Sequence, residues 1–294
     1  MPASTSRPPL ISVITACRNA GEFLEETVQS VLAQTYPHLE YLIIDGGSTD
    51  NTVAIIRRYA ARLAYWHSRP DRGPAQAFNF GLAQARGRWL VFLNADDFFL
   101  GPTVVEEMAV HLLSHPEADV VFGQMVMHTR ERQSRPLPLS KTYGQPWRWQ
   151  KFRWSNTLPH PAAFTQRQYF ARVGGFAESF HIAMDYEHYL RAGPGLKAHY
   201  VPLPVSGMRA GGLSHGNILG VCREVREAQL KTGALPPGLA WANFFGQVQL
   251  YFLCRLGHRL LDRWAGKIVW PGRVSRNQGK KTAGPVSEGE AGWK

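Results

Sequence analysis

Arg88-Trp89-Leu90-Val91-Phe92-Leu93-Asn94-Ala95-Asp96-Asp97 is an apolar run that ends in an acidic pair. A run of this length, closed by a polar cluster, reads as a strand buried on both faces. Its carboxyl end delivers Asn94, Asp96 and Asp97 to the edge of a sheet, which in open α/β folds is where ligands bind. Two carboxylates so close together suit a hard divalent cation, since Mg²⁺ is usually held by one or two carboxylates plus substrate phosphates. A local reading stands beside this one: the same pair caps a following helix that Pro102 opens. The stretch alone leaves both open.

The chain on either side repeats the theme. Upstream, Ile11 to Thr15 and Tyr41 to Ile44 are short strands by composition, and Ala64 to His67 is a weaker one. Between them lie helical patterns. Leu24, Val28, Val31 and Leu32 share one face, as do Val53, Ile56 and Ala60, and then Ala75, Phe78, Leu82 and Ala85. Downstream, a helix from Pro102 to about Ser114 precedes a strand from Asp119 to Phe122. Strands alternating with helices at short spacing predict βαβ units and a mostly parallel sheet. Three strands end in polar or acidic clusters, at Thr15 to Asn19, Asp45 and Asn94 to Asp97, and this recurrence favours a site over coincidental capping. The chain has no Gly-x-Gly-x-x-Gly after its first strand and no Walker-type lysine, so it lacks the usual cradles for a dinucleotide or NTP.

Composition bounds the rest. The chain has 294 residues, 44% of them hydrophobic, enough for a sizeable core. A net charge of +11 points to an anionic partner: phosphate, nucleic acid or anionic lipid. The three cysteines lie far apart with no Cys-x-x-Cys pair, which suits a reducing compartment. No apolar run approaches the ~20 residues of a membrane span. The expectation is a cytoplasmic protein, either soluble or peripheral on the inner face of the cell membrane.

In the second half, Trp147 to Trp154 interleaves aromatics with cations, a pattern for stacking sugars or bases or, somewhat preferred, for a half-buried segment with its cations in solvent. Asp185 and His188, three apart, share a helical face. Asp185 suits either a general base or a helix cap. Gly212-Leu213-Ser214-His215-Gly216 matches the hydrolase elbow but lacks the buried strand that should precede it. From Leu250 to Trp264, helical spacing sets Arg255, Arg259 and Arg263 in one row opposite Leu253, Leu260, Leu261 and Trp264. That pattern fits a helix lying in a membrane interface and equally one packed on the catalytic domain or a second subunit.

Taken together, Ile11 to Ile14, Asp45-Gly46-Gly47-Ser48-Thr49-Asp50, Asp71-Arg72-Gly73, Gly87 to Asp97 and His160 to Arg191 resemble, in order, the family-2 inverting nucleotide-sugar glycosyltransferases. The resemblance implies an α/β fold of GT-A type, with a mostly parallel central sheet flanked by helices and followed by C-terminal helices. It implies a glycosyltransferase domain over residues 1–235, with its nucleotide-sugar half at about 10–123 and its acceptor half at about 124–235. An amphipathic helical extension over 236–270 and a disordered tail over 271–294 complete the expected organisation. The resemblance further implies that Ala16 and Arg18 line the nucleotide base, that Asp45 bonds it and that Asp71 helps close the pocket. Asn94-Ala95-Asp96 stands for the family's Asp-x-Asp. Asp96 would hold Mg²⁺ or Mn²⁺, and Asn94, in place of the first aspartate, would bond a ribose hydroxyl. Asp185 falls on the catalytic base, with Met184 where the family has Glu. His215 lies where some members contact the metal or diphosphate.

The implied reaction moves a sugar from a nucleotide-sugar donor, UDP-linked by expectation, to a hydroxyl of a polysaccharide or lipid-linked glycan. The C-terminal helix would add peripheral membrane contact, and a homo-oligomer is compatible with this reading. No nucleic-acid module is present. The rival is a non-catalytic GT-A-fold protein that binds an anionic glycan or a membrane surface. Hydrolysis of a nucleotide-sugar by the purified protein separates the two.

Overall fold

The computed structural model describes residues 7–130, 142–212 and 216–265, with side chains described as far as Leu253. His215, the Leu213–His215 part of the elbow match, the Arg255–Trp264 side chains and the tail over 271–294 lie outside the described residues. The chain divides into two compact units, Met1–Leu250 and Tyr251–Lys294. The described part of the second is helical as far as Ala265.

One sheet of nine strands, among the described residues, organises the first unit. The strands are β1 (Ile11–Cys17), β2 (Leu39–Asp45), β3 (Tyr65–Ser68), β4 (Trp89–Asn94), β5 (Phe98–Phe99), β6 (Val120–His128), β7 (Thr142–Tyr143), β8 (Ala163–Gln166) and β9 (Ala198–Arg209). Their order is β3-β2-β1-β4-β8-β6-β9-β5, with β7 paired to β6. β3, β2, β1 and β4 run parallel. β8 enters antiparallel between β4 and β6, β9 is parallel to β6, and β5 returns antiparallel along β9. The helices are α1 (Leu24–Leu32), α2 (Thr52–Tyr59), α3 (Pro74–Gln84), α4 (Val104–Ser114), α5 (Trp149–Phe152), α6 (Arg167–Val173), α7 (Met184–Arg191), α8 (Ile218–Lys231) and α9 (Pro237–Ala265).

The unbroken apolar run of β4 follows from its place between two layers. Trp89, Val91 and Leu93 join a core with Val28 and Val31 of α1 and Val105 and Met108 of α4. Leu90 and Phe92 join the opposite core with Phe78 of α3, Phe170 of α6 and Tyr189 of α7. A strand covered on both faces has no polar alternation to show. The capping reading of Asp96 and Asp97 does not hold, because α4 begins at Val104, preceded by Thr103 and without a side-chain cap. The Trp147–Trp154 stretch is a half-buried segment, with Trp147 and Trp149 partly covered and Trp154 37% exposed. Phe152 is wholly buried with Trp147 against it at 4.8 Å, while Arg148 and Lys151 face solvent.

Candidate active site

The parallel strands end level with one another. Ala16 on β1 lies opposite Ile44 on β2 and Asn94 on β4, Cys17 lies opposite Asp45, and Asp45 lies opposite Ser68 on β3. The expected residues Ala16, Asp45 and Asn94 therefore share one edge, with Arg18 just beyond it. The loop after β1 is laced to the turn after β2. Asn19, at φ 50°, accepts the Thr49 N–H at 2.9 Å through Oδ1, and its own N–H donates to Ser48 Oγ at 2.7 Å.

Asp45 is wholly buried. Its Oδ2 accepts from Ser68 Oγ at 2.6 Å and the Ser48 N–H at 3.0 Å; its Oδ1 accepts from Ser48 Oγ and, at 3.6 Å, the Cys17 thiol. Burial raises the Cys17 thiol well above its ordinary range, and the Asp45 charge adds to this. Asp71 folds back over the turn after β2. A Cβ on Gly46 would come within 2.6 Å of Asp71 Oδ2, so only glycine admits this approach. Asp71 Oδ1 accepts the Gly73 N–H at 2.9 Å. Burial raises the Asp71 carboxyl, against the opposing pull of that N–H and of the Arg18 guanidinium.

Beyond β4 the two carboxyls of the acidic pair part company. Asp97 is wholly buried and its Oδ2 accepts from Asn94 Nδ2 at 2.8 Å. Burial first, then the neighbouring Asp96, pushes the Asp97 carboxyl well above the usual carboxylate range. Asp97 is thus an inward-facing structural acid, and Asn94 is its partner. Asp96 is only half-buried, and its Oδ2 would lie 3.7 Å from a Cβ on Gly212. Burial raises it too, while the guanidiniums of Arg130 and Arg209 act in the other direction.

The backbone that presents Asp96 is held by side chains from two other elements. Thr27 of α1 directs its hydroxyl at the carbonyls of Ala95 and Asp97, 2.8 and 2.7 Å away. Arg209, at the end of β9, donates Nη1–H to the Asp96 carbonyl at 2.7 Å. Arg209 is itself buried. Its guanidinium lies between the rings of Phe23 and Phe98, at 4.8 and 4.9 Å, and Nη2 is 2.5 Å from Glu26 Oε2.

Asp185 occupies the first turn of α7, where the helix dipole favours a carboxylate. It is half-buried, and its Oδ2 accepts from Asn156 Nδ2 at 2.8 Å. Glu224 of α8 caps the entry to this helix. Its Oε2 accepts the N–H groups of Ile182 and Ala183, both at 2.8 Å, and its Oε1 that of His181 at 3.1 Å, which holds the turn leading into the helix and satisfies the N–H of its N-cap residue, Ala183. His188 does not join Asp185 as a site residue. It is a core side chain with Nε2 2.9 Å from the Gly174 carbonyl and its ring stacked on Phe170. Burial lowers it to about 3, so it is neutral. Sequence reasoning missed Thr27, Asn156, Arg209 and Glu224, each of which acts across a long stretch of chain.

No cluster of three or more His, Cys, Asp or Glu able to hold a metal occurs among the described residues. The donor set still fits a hard cation of the Mg²⁺ type. Asp96 offers one carboxylate at an edge where substrate phosphates would supply the remaining ligands.

Solved structures share this architecture. A mannosyltransferase of Pyrobaculum calidifontis, in complex with GDP-Man and Mn²⁺, superposes with a TM-score of 0.60 and 20% identity over 91% of this chain and 82% of its own. TarS 1-349 of S. aureus, in complex with UDP-GlcNAc, gives 0.58 and 18% over 81% and 71%. The fold is that of a GT-A glycosyltransferase. The family model of glycosyl transferase family 2 matches residues 12–174. An uncharacterized glycosyltransferase of Mycobacterium tuberculosis (strain H37Rv) is 39% identical over 189 residues, 63% of this chain and 69% of that one. A PGL/p-HBAD biosynthesis glycosyltransferase of Mycobacterium bovis (strain BCG) is 27% identical over 213 residues, 70% and 80% of the two chains. The chain belongs to glycosyl transferase family 2.

Proposed function

We propose that this glycosyltransferase is metal-dependent and inverting, and that it moves a sugar from a UDP-linked donor to a hydroxyl of a polysaccharide or lipid-linked glycan. The observation that carries the reading is the Asp96 carboxyl at the end of β4, on a loop whose own carbonyl is held by Arg209. The nucleotide-sugars bound by the two solved neighbours support the donor class. The biosynthetic role in the name of the M. bovis relative supports a glycan or glycolipid acceptor.

In this reading Ala16, Arg18, Asp45 and Asp71 form the base pocket at the ends of β1 to β3. Asn94 lies beside the ribose. Asp96, with His215, would hold Mg²⁺ or Mn²⁺, which when bound offsets the charge of the departing nucleoside diphosphate. Asp185 takes the proton from the acceptor hydroxyl as its oxygen attacks the anomeric carbon from the face opposite the diphosphate. The C–O bond to the diphosphate breaks as the new one forms, so a single base suffices. Asp96→Ala is expected to abolish Mn²⁺-dependent UDP binding and sugar transfer together. Calorimetry showing UDP with Mn²⁺ bound by the variant as tightly as by the parent would refute the assignment.

The same reading includes docking on an anionic lipid surface through α9. One side of the helix is committed to the protein: Ala240 is buried and Asn243 Nδ2 donates to the Trp154 carbonyl at 3.0 Å. Phe245 and Leu250 are 60% and 62% exposed, with Leu239 and Trp241 also in solvent. Exposed apolar side chains on a helix of a protein with net charge +11 suit an anionic bilayer surface. No helix among the described residues is long and apolar enough to cross a membrane. The full-length double variant Phe245→Ser, Leu250→Ser is expected to lose most of its co-sedimentation with phosphatidylserine-containing liposomes while binding UDP normally. Unchanged sedimentation would sink the docking proposal.

A further inference from the structure

Arg130 follows β6 directly and is exposed. Its Nη1–H donates to the Gly211 carbonyl at 2.9 Å. Its guanidinium lies over the Phe23 ring at 5.2 Å, the same ring that Arg209 meets at 4.8 Å. A Cβ on Gly211 would come within 3.2 Å of Arg130 Nη1, and one on Gly212 within 3.7 Å of Asp96 Oδ2. The guanidinium and the carboxyl thus flank two successive residues, whose α carbons are about 3.8 Å apart. Arg130 is also foremost among the cations that favour the ionised form of Asp96. Among the described residues it forms no ion pair.

The two arginines at this edge are used differently. Arg209 is buried, and both arms of its fork are taken, one by the Asp96 carbonyl and one by Glu26. Arg130 keeps its charge in solvent, beside the one carboxyl that would hold the metal. A divalent cation on a single carboxylate carries one net positive charge, less than the negative charge of a diphosphate. A guanidinium fork fits phosphate oxygens, and its bonds to ionised acceptors are the strong ones. We propose that Arg130 is a diphosphate-binding residue, which donates to the phosphate oxygens of the nucleotide where Asp96 approaches Gly211 and Gly212. The inference rests on the reading of Asp96 as the metal-holding end of a nucleotide-sugar site. When the bond from the sugar to the diphosphate breaks, its electron pair stays on the diphosphate oxygen, and the guanidinium faces that added charge.

The test compares full-length parent, Arg130→Gln and Arg130→Lys by calorimetry with UDP and Mn²⁺, with uridine measured by competition. Arg130→Gln should melt with the parent, because the side chain is exposed. Its affinity for UDP is expected to fall about 10-fold or more, the worth of a hydrogen bond to a charged group, while its affinity for uridine stays within twofold. Arg130→Lys keeps the charge without the fork and should recover part of the loss. UDP affinity within twofold of the parent in Arg130→Gln overturns the inference. So does an equal loss for UDP and uridine, which places the effect at the base and not at the phosphates. A lower melting temperature accompanying the loss overturns it as well, since Arg130 would then only tie the end of β6 to Gly211. A parent with no Mn²⁺-dependent binding of UDP overturns the reading of the site itself, and this inference with it.

Discussion

Asp185→Asn is expected to lower turnover by about 10²–10⁴-fold, the usual worth of a positioned general base, while UDP affinity stays near the parent value. Asn156 already occupies Asp185 Oδ2, so in the proposed chemistry the proton arrives at Oδ1. The amide keeps the shape and can turn its oxygen toward Asn156, which preserves the local hydrogen bond and removes only the basic oxygen. Glu224 continues to hold the N–H groups of His181, Ile182 and Ala183, so α7 should start where it does now. Release of nucleoside diphosphate measures turnover, and calorimetry with UDP and Mn²⁺ measures the donor site. Turnover within tenfold of the parent contradicts the role. A collapse of UDP binding or of the melting temperature would instead mark Asp185 as structural.

Arg209→Met should cost both stability and activity. Methionine can refill the space between Phe23 and Phe98, because its thioether packs well on aromatic rings. It cannot donate to the Asp96 carbonyl, and it leaves Glu26 without its partner. Losing a hydrogen bond from a charged donor to a buried carbonyl removes about 2–3 kcal/mol, or roughly 5–10 °C in Tm for a chain of this size. The released backbone carries Asp96, and a misplacement of about 1 Å at a reacting centre can cost about 10²-fold in rate. Arg209→Lys should recover little, since an ammonium lacks the planar fork that serves the carbonyl and Glu26 together. Thermal melts and turnover measured side by side test the coupling. A variant that is less stable yet fully active would show that Arg209 holds the fold and not the site.

The layers of the protein were legible where chemistry is local. β4 announces itself because both of its faces are apolar, and β1 and β2 because β-branched residues end abruptly in polar clusters. β8 did not, since a short strand, Ala163–Gln166, carries no mark of its direction. Neither did β5, at two residues. Asp96 and Asp185 stood out only through the order of motifs around them. Asp97 looked like a second ligand because sequence does not say which of two adjacent carboxyls turns inward. Arg209 lies 113 residues from the carbonyl it holds and is one of 33 basic residues in the chain, so nothing in its surroundings set it apart.

The carbonyls of Ala95, Asp96 and Asp97 all meet donors from α1 or β9. Fixing the backbone of one residue costs about 1–2 kcal/mol in conformational entropy. For this loop that cost is met when the chain folds, and an arriving ligand does not have to meet it again. Its affinity therefore reflects its contacts more directly, as in any rigid host. An edge that is already frozen also has little room to reshape itself around a different ligand, so selectivity between ligands has to come from the loops around it.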